Sequence, residues 1–175
     1  CVTMPGVSLM PAPASGEDLV PERVMLRLVP LLKRYFDRVI LDSPAGVGRG
    51  FRAAAAAADC ALIVCNSDPV CIRDASIVRR LLTELEVPQQ RLVINRFNAE
   101  YFGSLSAGRE DAGGLRDLDD VIDQSGVRLI GIVPEDRQMT AAFQRGCVPA
   151  DDLPGMTALS RIAARMNGVS VPLSL

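Results

Sequence analysis

The sequence contains no histidine and no tryptophan, and aromatic residues make up only 4% of its 175 positions. The missing histidine excludes Ser-His-Asp triads, histidine general bases and histidine metal ligands. Any chemistry must therefore use carboxylates, backbone amides, lysine or arginine side chains, or a bound metal.

Several familiar patterns are absent as well. The five cysteines form no C-x-x-C pair and no zinc-type spacing, so we expect buried free thiols in a reducing cytosol. No apolar run approaches the roughly 20 residues that span a bilayer. Residues 1–20 also lack the pattern of a secretory signal. The net charge of −2 argues against a protein that holds nucleic acid by its phosphates, so we predict no nucleic-acid partner.

What the sequence does contain is a series of short apolar runs separated by helical patterns. A strand end is predicted at 7–10, and further strands at 38–42, 60–65, 91–95 and 128–133. The predicted helices run from about Pro21 to Tyr35, through the alanine run 53–58, after Asp68-Pro69, and around 115–122, 139–143 and 159–166. We expect Pro30 to kink or weaken the first of these helices.

The apolar runs are continuous and do not alternate with polar residues, which is typical of parallel strands buried on both faces. We therefore predict a three-layer α/β fold with a mostly parallel sheet. It would form a single domain over residues 1–168, followed by a short tail, 169–175. Ligands of such sheets bind at the carboxyl ends of the strands, so polar residues there are the candidates for function.

The first candidate is Asp42, which follows the apolar run 38–41. A carboxylate at this place is typical of a Walker B residue, which holds Mg²⁺ through water beside the phosphates of a nucleotide. Strand ends also carry aspartate simply for capping, so the pattern leaves both interpretations open. In the loop that follows, Pro44 would stiffen the backbone and Gly46 would allow close approach to a ligand. Such a loop can sense a terminal phosphate and move when it leaves.

Several segments, in order along the chain, resemble the MinD family of cell-division site-selection ATPases. The resemblance covers residues 7 to 165 and is carried by Leu9–Ala12, by 41–47 with Arg49-Gly50, by 70–82, by Ile94-Asn95-Arg96, by 130–136 and by 144–146. It implies a P-loop NTPase fold of the SIMIBI type, ATP hydrolysis and a role in septum placement. Several motifs in order are harder to obtain by chance than one.

The resemblance also implies roles for individual residues. Asp42 would serve catalysis by binding Mg²⁺ through water, beside a phosphate-sensing switch made of Ser43, Pro44, Ala45 and Gly46. Asn95 and Arg96 would frame the adenine base, and the same pocket would be closed, partly by backbone groups, by Pro134, Glu135 and Asp136. The implied cofactors are ATP and Mg²⁺.

The implied partners are a second copy of the chain and the regulators MinC and MinE. The family dimerises when ATP is bound, and the regulators would dock near Asp68, Arg73 and Asp74. Simpler interpretations stay open for each segment. Asn95-Arg96 could be a strand exit, 134–136 a helix start, and Arg73-Asp74 a solvated helix face.

The sequence departs from the family pattern at three places. No G-x-x-x-x-G-K-[ST] motif occurs, so backbone amides cannot cradle the phosphates in the usual way. The resemblance puts that loop before Val7, so we expect a domain that lacks its first strand and phosphate loop, and a chain inactive alone. Residues 98–116 depart from the family pattern. The tail has no Lys or Arg, which leaves membrane binding open. We expect a cytoplasmic protein, with a peripheral place on the inner membrane face as the alternative.

Two rival functions remain at this stage. One is a ParA-type partition or cargo-positioning ATPase, which works on DNA, and the other is a non-catalytic binding module. The segment from Ser43 to Gly46 and the acidic charge balance favour the MinD type over the ParA type. The missing phosphate loop is what keeps the binding module open.

Overall fold

The computed structural model describes residues 2–4, 6–11, 20–98 and 118–173. The chain divides into two compact units. The first comprises Cys1–Asp59 with Glu84–Val87, and the second comprises Cys60–Thr83 with Pro88–Leu175. The single domain over residues 1–168 stays a prediction.

The first unit contains a hairpin and two helices. Strands β1 (Val2–Met4) and β2 (Val7–Leu9) pair antiparallel around Gly6, whose φ of 77° suits a residue without a Cβ. Helices α1 (Glu22–Leu32) and α2 (Arg49–Ala56) pack against each other. The strand predicted around residues 7–10 is therefore present, although its partner is an antiparallel strand.

Helix α1 is shorter than the sequence predicts. It includes Pro30 and ends at Leu32, before the predicted end at Tyr35, whose side chain is exposed. Proline has no N–H to donate to the carbonyl four residues back, which weakens the last turn. The expected weakening thus appears as an early end to the helix.

The strand predicted at 38–42 is wrong. These residues form no strand, and Ile40 is 91% exposed. Apolar content favours a strand, but only a neighbouring strand can satisfy the backbone N–H and C=O groups. In the part of the chain that the structure describes, 38–42 pairs with no other segment.

The second unit contains a parallel sheet of three strands, in the order β3-β4-β5. The strands are β3 (Cys60–Cys65), β4 (Gln89–Phe97) and β5 (Leu129–Pro134). The helices between and after them are α3 (Pro69–Glu84), α4 (Leu118–Ser125), α5 (Arg137–Gln144) and α6 (Pro154–Met166). All seven elements were predicted, with bounds that differ by a few residues.

The centre of this sheet is buried on both faces. Val93 and Gly131 are register partners on β4 and β5, and a Cβ on Gly131 would run into Ile162 of α6. The next register pair, Ile94 and Ile132, lies on the opposite face and is also buried. Helix α6 covers one face of the sheet, and the other face is buried as well, as the predicted three-layer α/β arrangement requires.

Burial on both faces is a wrong prediction for β3. Ile63 and Cys65 are buried, but Leu62 and Val64 are 38% and 58% exposed. Within the described residues, strand β3 lies at the edge of the sheet and pairs only with β4. An apolar sequence shows what a strand can bury, whereas the neighbouring elements decide what it does bury.

Candidate functional site

The carboxyl ends of β4 and β5 bring two predicted segments together. Phe97 and Pro134 are register partners, and the backbone N–H of Glu135 donates to the carbonyl of Phe97 at 2.8 Å. The segment 95–97 therefore lies beside 134–136, at the edge of the sheet where parallel α/β folds bind ligands. The two predicted segments are therefore neighbours in the fold, and their shared role in a site stays a prediction.

Asn95 is the polar side chain best placed to read a ligand at this edge. It is half-buried, and its amide makes no hydrogen bond to any residue that the structure describes. Its amide therefore offers two donors and one acceptor that no described protein group uses. Such a group fits the edge of a nucleotide base, which presents both acceptors and donors.

Arg96 has an unusual backbone conformation. Its φ is 53°, in the left-handed region that non-glycine residues seldom adopt, and it lies where the β4–β5 register shifts between Ile94 and Phe97. The bulge turns the chain at the strand end and leaves the Arg96 side chain exposed. Its guanidinium lies 3.8 Å from the carboxylate of Glu135, so the two segments are also linked by charge.

Asp136 begins helix α5. Its Oδ1 accepts the backbone N–H groups of Gln138 and Met139, each at 2.9 Å, and Oδ2 accepts that of Gly155 at 3.3 Å. Hydrogen bonds from Met139, Gly155 and Gln138 hold the pKa of Asp136 below its usual value. The helix-start interpretation is therefore confirmed for Asp136, and its carboxylate is already committed to backbone groups.

Phe97 belongs to this site, although the sequence prediction omitted it. Its side chain is buried, and its carbonyl is the acceptor that joins the two strand ends. The available signal was an apolar residue directly after Asn95-Arg96, which extends the apolar pattern of the strand. The predicted strand end at Asn95 was two residues too early.

The predicted switch lies in the first unit. Asp42 is exposed, and its carboxylate makes no hydrogen bond or ion pair with the described residues. It follows no strand, so the capping interpretation does not apply. Gly46 has a φ of 81°, which requires glycine, and the hydroxyl of Ser43 donates to the carbonyl of Pro44 at 3.3 Å. Pro44 and Ala45 are exposed beside them.

The predicted partner-binding residues lie at the start of α3. Oδ1 of Asp68 accepts the backbone N–H of Cys71 at 2.9 Å, so Asp68 is the expected helix cap. Hydrogen bonds from the Cys71 thiol and backbone lower the pKa of Asp68. Arg73 and Asp74 are exposed on the first turns of the helix. They are available to a partner, whereas the Asp68 carboxylate is occupied.

The expectation of buried thiols is met by Cys65 but not by Cys147, which is exposed. Cys60, Cys65, Cys71 and Cys147 are free thiols, and burial raises the pKa of Cys65 to about 11. A thiol with so high a pKa is a poor nucleophile at neutral pH. Among the described residues, no three His, Cys, Asp or Glu side chains gather as a metal site, and no helix could cross a membrane.

A parallel sheet with helices between its strands, and with polar groups at the carboxyl ends of those strands, defines an α/β domain of the kind that binds ligands at these ends. No protein-family model matches the chain. The chain is 32% identical to the septum site-determining protein MinD of Synechocystis over 174 aligned residues. The alignment covers 97% of the chain and 62% of that relative. The chain thus spans about 62% of the length of this relative.

Solved structures agree with the sequence comparison. The MinC:MinD cell division protein complex of Aquifex aeolicus matches with a TM-score of 0.78 and 29% identity, over 90% of the chain and 63% of that structure's chain. MinD of Pyrococcus horikoshii, complexed with Mg-ADP, shares the fold with a TM-score of 0.66, at 22% identity, over 83% and 56% of the two chains. Over nearly its whole length, the chain is thus similar in sequence and fold to proteins of the MinD family.

Proposed function

We propose that the chain is the base-binding and switch part of a MinD-like ATPase that acts in septum site selection as an ATP-dependent dimerising switch. The observation that carries the proposal is the junction of Phe97 with Glu135. It places Asn95 and Arg96 beside Pro134 and Asp136, where the family resemblance expects adenine. The similarity to MinD proteins and the polar groups at the strand ends support the same function.

Base recognition would rest mainly on Asn95 and on the backbone. The free amide of Asn95 would hydrogen-bond the edge of the adenine ring. Asp136 would act indirectly, because its carboxylate is held by backbone N–H groups. It would fix the path of residues 134–136, while Pro134 and Glu135 close the pocket with main-chain groups. The Arg96 guanidinium, 3.8 Å from Glu135, would cover one side.

Phosphate sensing would rest on the segment from Asp42 to Gly46. The carboxylate of Asp42 is exposed and unpaired within the described residues. Mg²⁺ is commonly held by one or two carboxylates together with substrate phosphates and water, so one free carboxylate suffices here. With ATP bound, Mg²⁺ would supply neutralisation of phosphate charge. Asp42 would orient its water ligands, and the backbone from Ser43 to Gly46 would respond to the terminal phosphate.

The partners in this proposal are a second copy of the chain and regulators of the MinC and MinE type. Exposed Arg73 and Asp74 on α3 provide a surface with both charges for such a regulator. MinD of Aquifex aeolicus is in complex with MinC, which supports this class of partner. We propose a cytoplasmic location, with a peripheral place on the inner membrane face as the alternative.

The test uses the chain with a G-x-x-x-x-G-K-[ST] segment from a MinD relative placed ahead of Cys1, called here the loop-restored chain. We expect it to hydrolyse ATP. Asp42→Ala should reduce turnover at least tenfold, which corresponds to about 1.4 kcal/mol in the barrier. Asp37→Ala, another exposed carboxylate of the same unit, is the matched control. Unchanged turnover in the Asp42 variant would show that Asp42 does not have this role.

A binding module without hydrolysis is the second candidate. Radiolabelled ATP separates the two. We expect no retention of ATP by the chain alone and retention by the loop-restored chain. ATP binding without turnover in the loop-restored chain would favour the binding module.

A further inference from the structure

A cleft that has no place in the proposed nucleotide site lies at the opposite, amino-terminal edge of the sheet in the second unit. Its volume is about 370 Å³. The residues that line it come from the beginnings of β4 and β5, from α6 and from the segment after α6: Arg91, Arg128, Leu129, Ile130, Arg165, Val169, Ser170, Val171 and Leu173. Three of the nine are arginines, and none carries a negative charge.

Two of these arginines are held side by side by the sheet. Leu92 and Leu129 are register partners, and the backbone N–H of Leu92 donates to the carbonyl of Arg128 at 2.9 Å. Arg91 is the third residue of β4 and Arg128 immediately precedes β5, so the two arginines lie side by side on adjacent chain segments about 4.8 Å apart. Both line the cleft. Like charges placed directly opposite one another in a sheet are destabilising, and neither arginine has a carboxylate partner among the described residues.

The third arginine closes the cleft from the helix side. Arg165 of α6 donates from Nη1 to the carbonyl of Ile130 at 2.7 Å and from Nε to that of Val171 at 3.0 Å, and Nη2 donates to the carbonyl of Pro172. These neutral acceptors satisfy its donors and fix its position. They do not cancel its charge, so the cleft carries three fixed positive charges.

We propose that this cleft is an anion site that takes a phosphate group, held by the guanidinium groups of Arg91 and Arg128 with Arg165 behind them. Guanidinium forks bind phosphate oxygens in pairs, and a phosphate is large enough to touch two arginines at strand spacing. The negative charge of the phosphate would offset the repulsion between the guanidinium groups of Arg91 and Arg128. The volume suits a small phosphorylated molecule or the headgroup of a phospholipid, and both present the same chemistry.

Calorimetry on the 175-residue chain tests this proposal with two probes, pyrophosphate and vesicles of phosphatidylglycerol, with phosphatidylcholine vesicles as the neutral reference. We expect one of the anionic probes to bind. Arg91→Gln and Arg128→Gln should each weaken binding at least tenfold. Arg80→Gln, an exposed arginine on α3, is the matched control and should bind like the wild type. Pyrophosphate binding identifies a soluble ligand, and binding of anionic vesicles alone identifies a headgroup.

A second measurement does not depend on how well the variants bind. With no anion present, Arg128→Gln should have a melting temperature at or above that of the wild type, because it removes the repulsion with Arg91. Added pyrophosphate should then raise the melting temperature of the wild type more than that of the variant. The proposal is overturned if neither anionic probe binds, or if the Arg91 and Arg128 variants bind as tightly as the control.

The anion site is independent of the proposed ATPase. Asn95→Ala, at the other edge of the sheet, should leave pyrophosphate binding unchanged. If Asn95→Ala abolishes both pyrophosphate binding by the 175-residue chain and ATP binding by the loop-restored chain, the phosphate group binds at the nucleotide site, and the proposal is overturned.

Discussion

At the scale of the residue, the candidate site depends on backbone conformations as much as on side chains. Arg96 holds a left-handed φ of 53° at the end of β4, and Asp136 is bound by three backbone N–H groups at the start of α5. Each fixes the chain path where the two segments meet. A substitution at either position can therefore distinguish the role of the backbone conformation from the role of the side chain.

Arg96→Gly separates the two roles at the strand end. Glycine adopts the left-handed conformation without the Cβ penalty, and the exposed pair of Arg96 with Glu135 is worth at most about 1 kcal/mol. We expect the free energy of unfolding to stay within about 1 kcal/mol of the wild type, while the loop-restored chain loses affinity for ATP. Glu86→Gly is the matched control, because Glu86 also has a positive φ, of 57°. Equal ATP affinity in the two variants would exclude a role for the Arg96 side chain.

Asp136→Asn tests the charged helix cap. Asparagine still offers a capping oxygen but cannot titrate. Because the pKa of Asp136 is lowered in the folded protein, its carboxylate stabilises the fold at pH values above its ordinary pKa of 3.8, and that stability is lost as pH falls through the lowered pKa. We expect the wild type to melt above the variant at neutral pH, and the difference to shrink in acid. A difference that is constant with pH, or that matches the one for the turn residue Asp151→Asn, would contradict this account.

At the scale of the element, the sequence predicted best those pieces whose contacts are local. Helix α3 begins where Asp68-Pro69 indicates it, because the Asp68 cap needs only a neighbouring backbone N–H. Strands β4 and β5 were found from their apolar runs. The segment 38–42 and the exposed face of β3 were predicted wrongly, because strand pairing and burial depend on distant elements.

The bulge at the end of β4 could not be predicted either. Arginine has no preference for a left-handed φ, so nothing at Arg96 indicates the register shift beside it. The candidate site was predicted as two segments, but their junction through Phe97 emerged only from the pairing of β4 with β5.

The contact between β5 and α6 should tolerate no Cβ at Gly131. That atom would lie 2.7 Å from Cδ1 of Ile162 and closer still to Cγ1. Overpacking of this kind costs about 1–3 kcal/mol, so Gly131→Ala should lower the free energy of unfolding by that amount. Gly155→Ala is the matched control, because its Cβ would meet the flexible thioether of Met139. It should cost less.

Urea denaturation of the single and double variants measures this coupling. Ile162→Ala removes both atoms that a Cβ on Gly131 would meet, so Gly131→Ala with Ile162→Ala should cost less stability than the sum of the two single variants. Additive losses in the double variant would mean that the helix does not lie on Gly131 as the structure has it.

At the scale of the whole molecule, the open edge of β3 is the main liability of the 175-residue chain. One side of β3 has no strand partner in the described part of the chain, and Val64 is 58% exposed there. Exposed apolar edge strands promote association, and a lysine on the edge opposes it. We expect the chain to associate as its concentration rises, and Val64→Lys to reduce that association in sedimentation velocity. Ile77→Lys, on the surface of α3, is the control. Equal effects of both lysines would point to net charge instead of the strand edge.

The central claim is that the ends of β4 and β5 read the adenine base of a MinD-like switch. The most direct test is the affinity of the loop-restored chain for ATP and GTP, with Asn95→Ala compared with Gln89→Ala, an exposed amide at the other end of the same strand. Loss of the base contact should weaken ATP binding about tenfold, which corresponds to about 1.4 kcal/mol of binding free energy. It should also remove the preference for ATP over GTP. Gln89→Ala should change neither. An Asn95 variant that keeps both its ATP affinity and its preference for ATP would contradict the account.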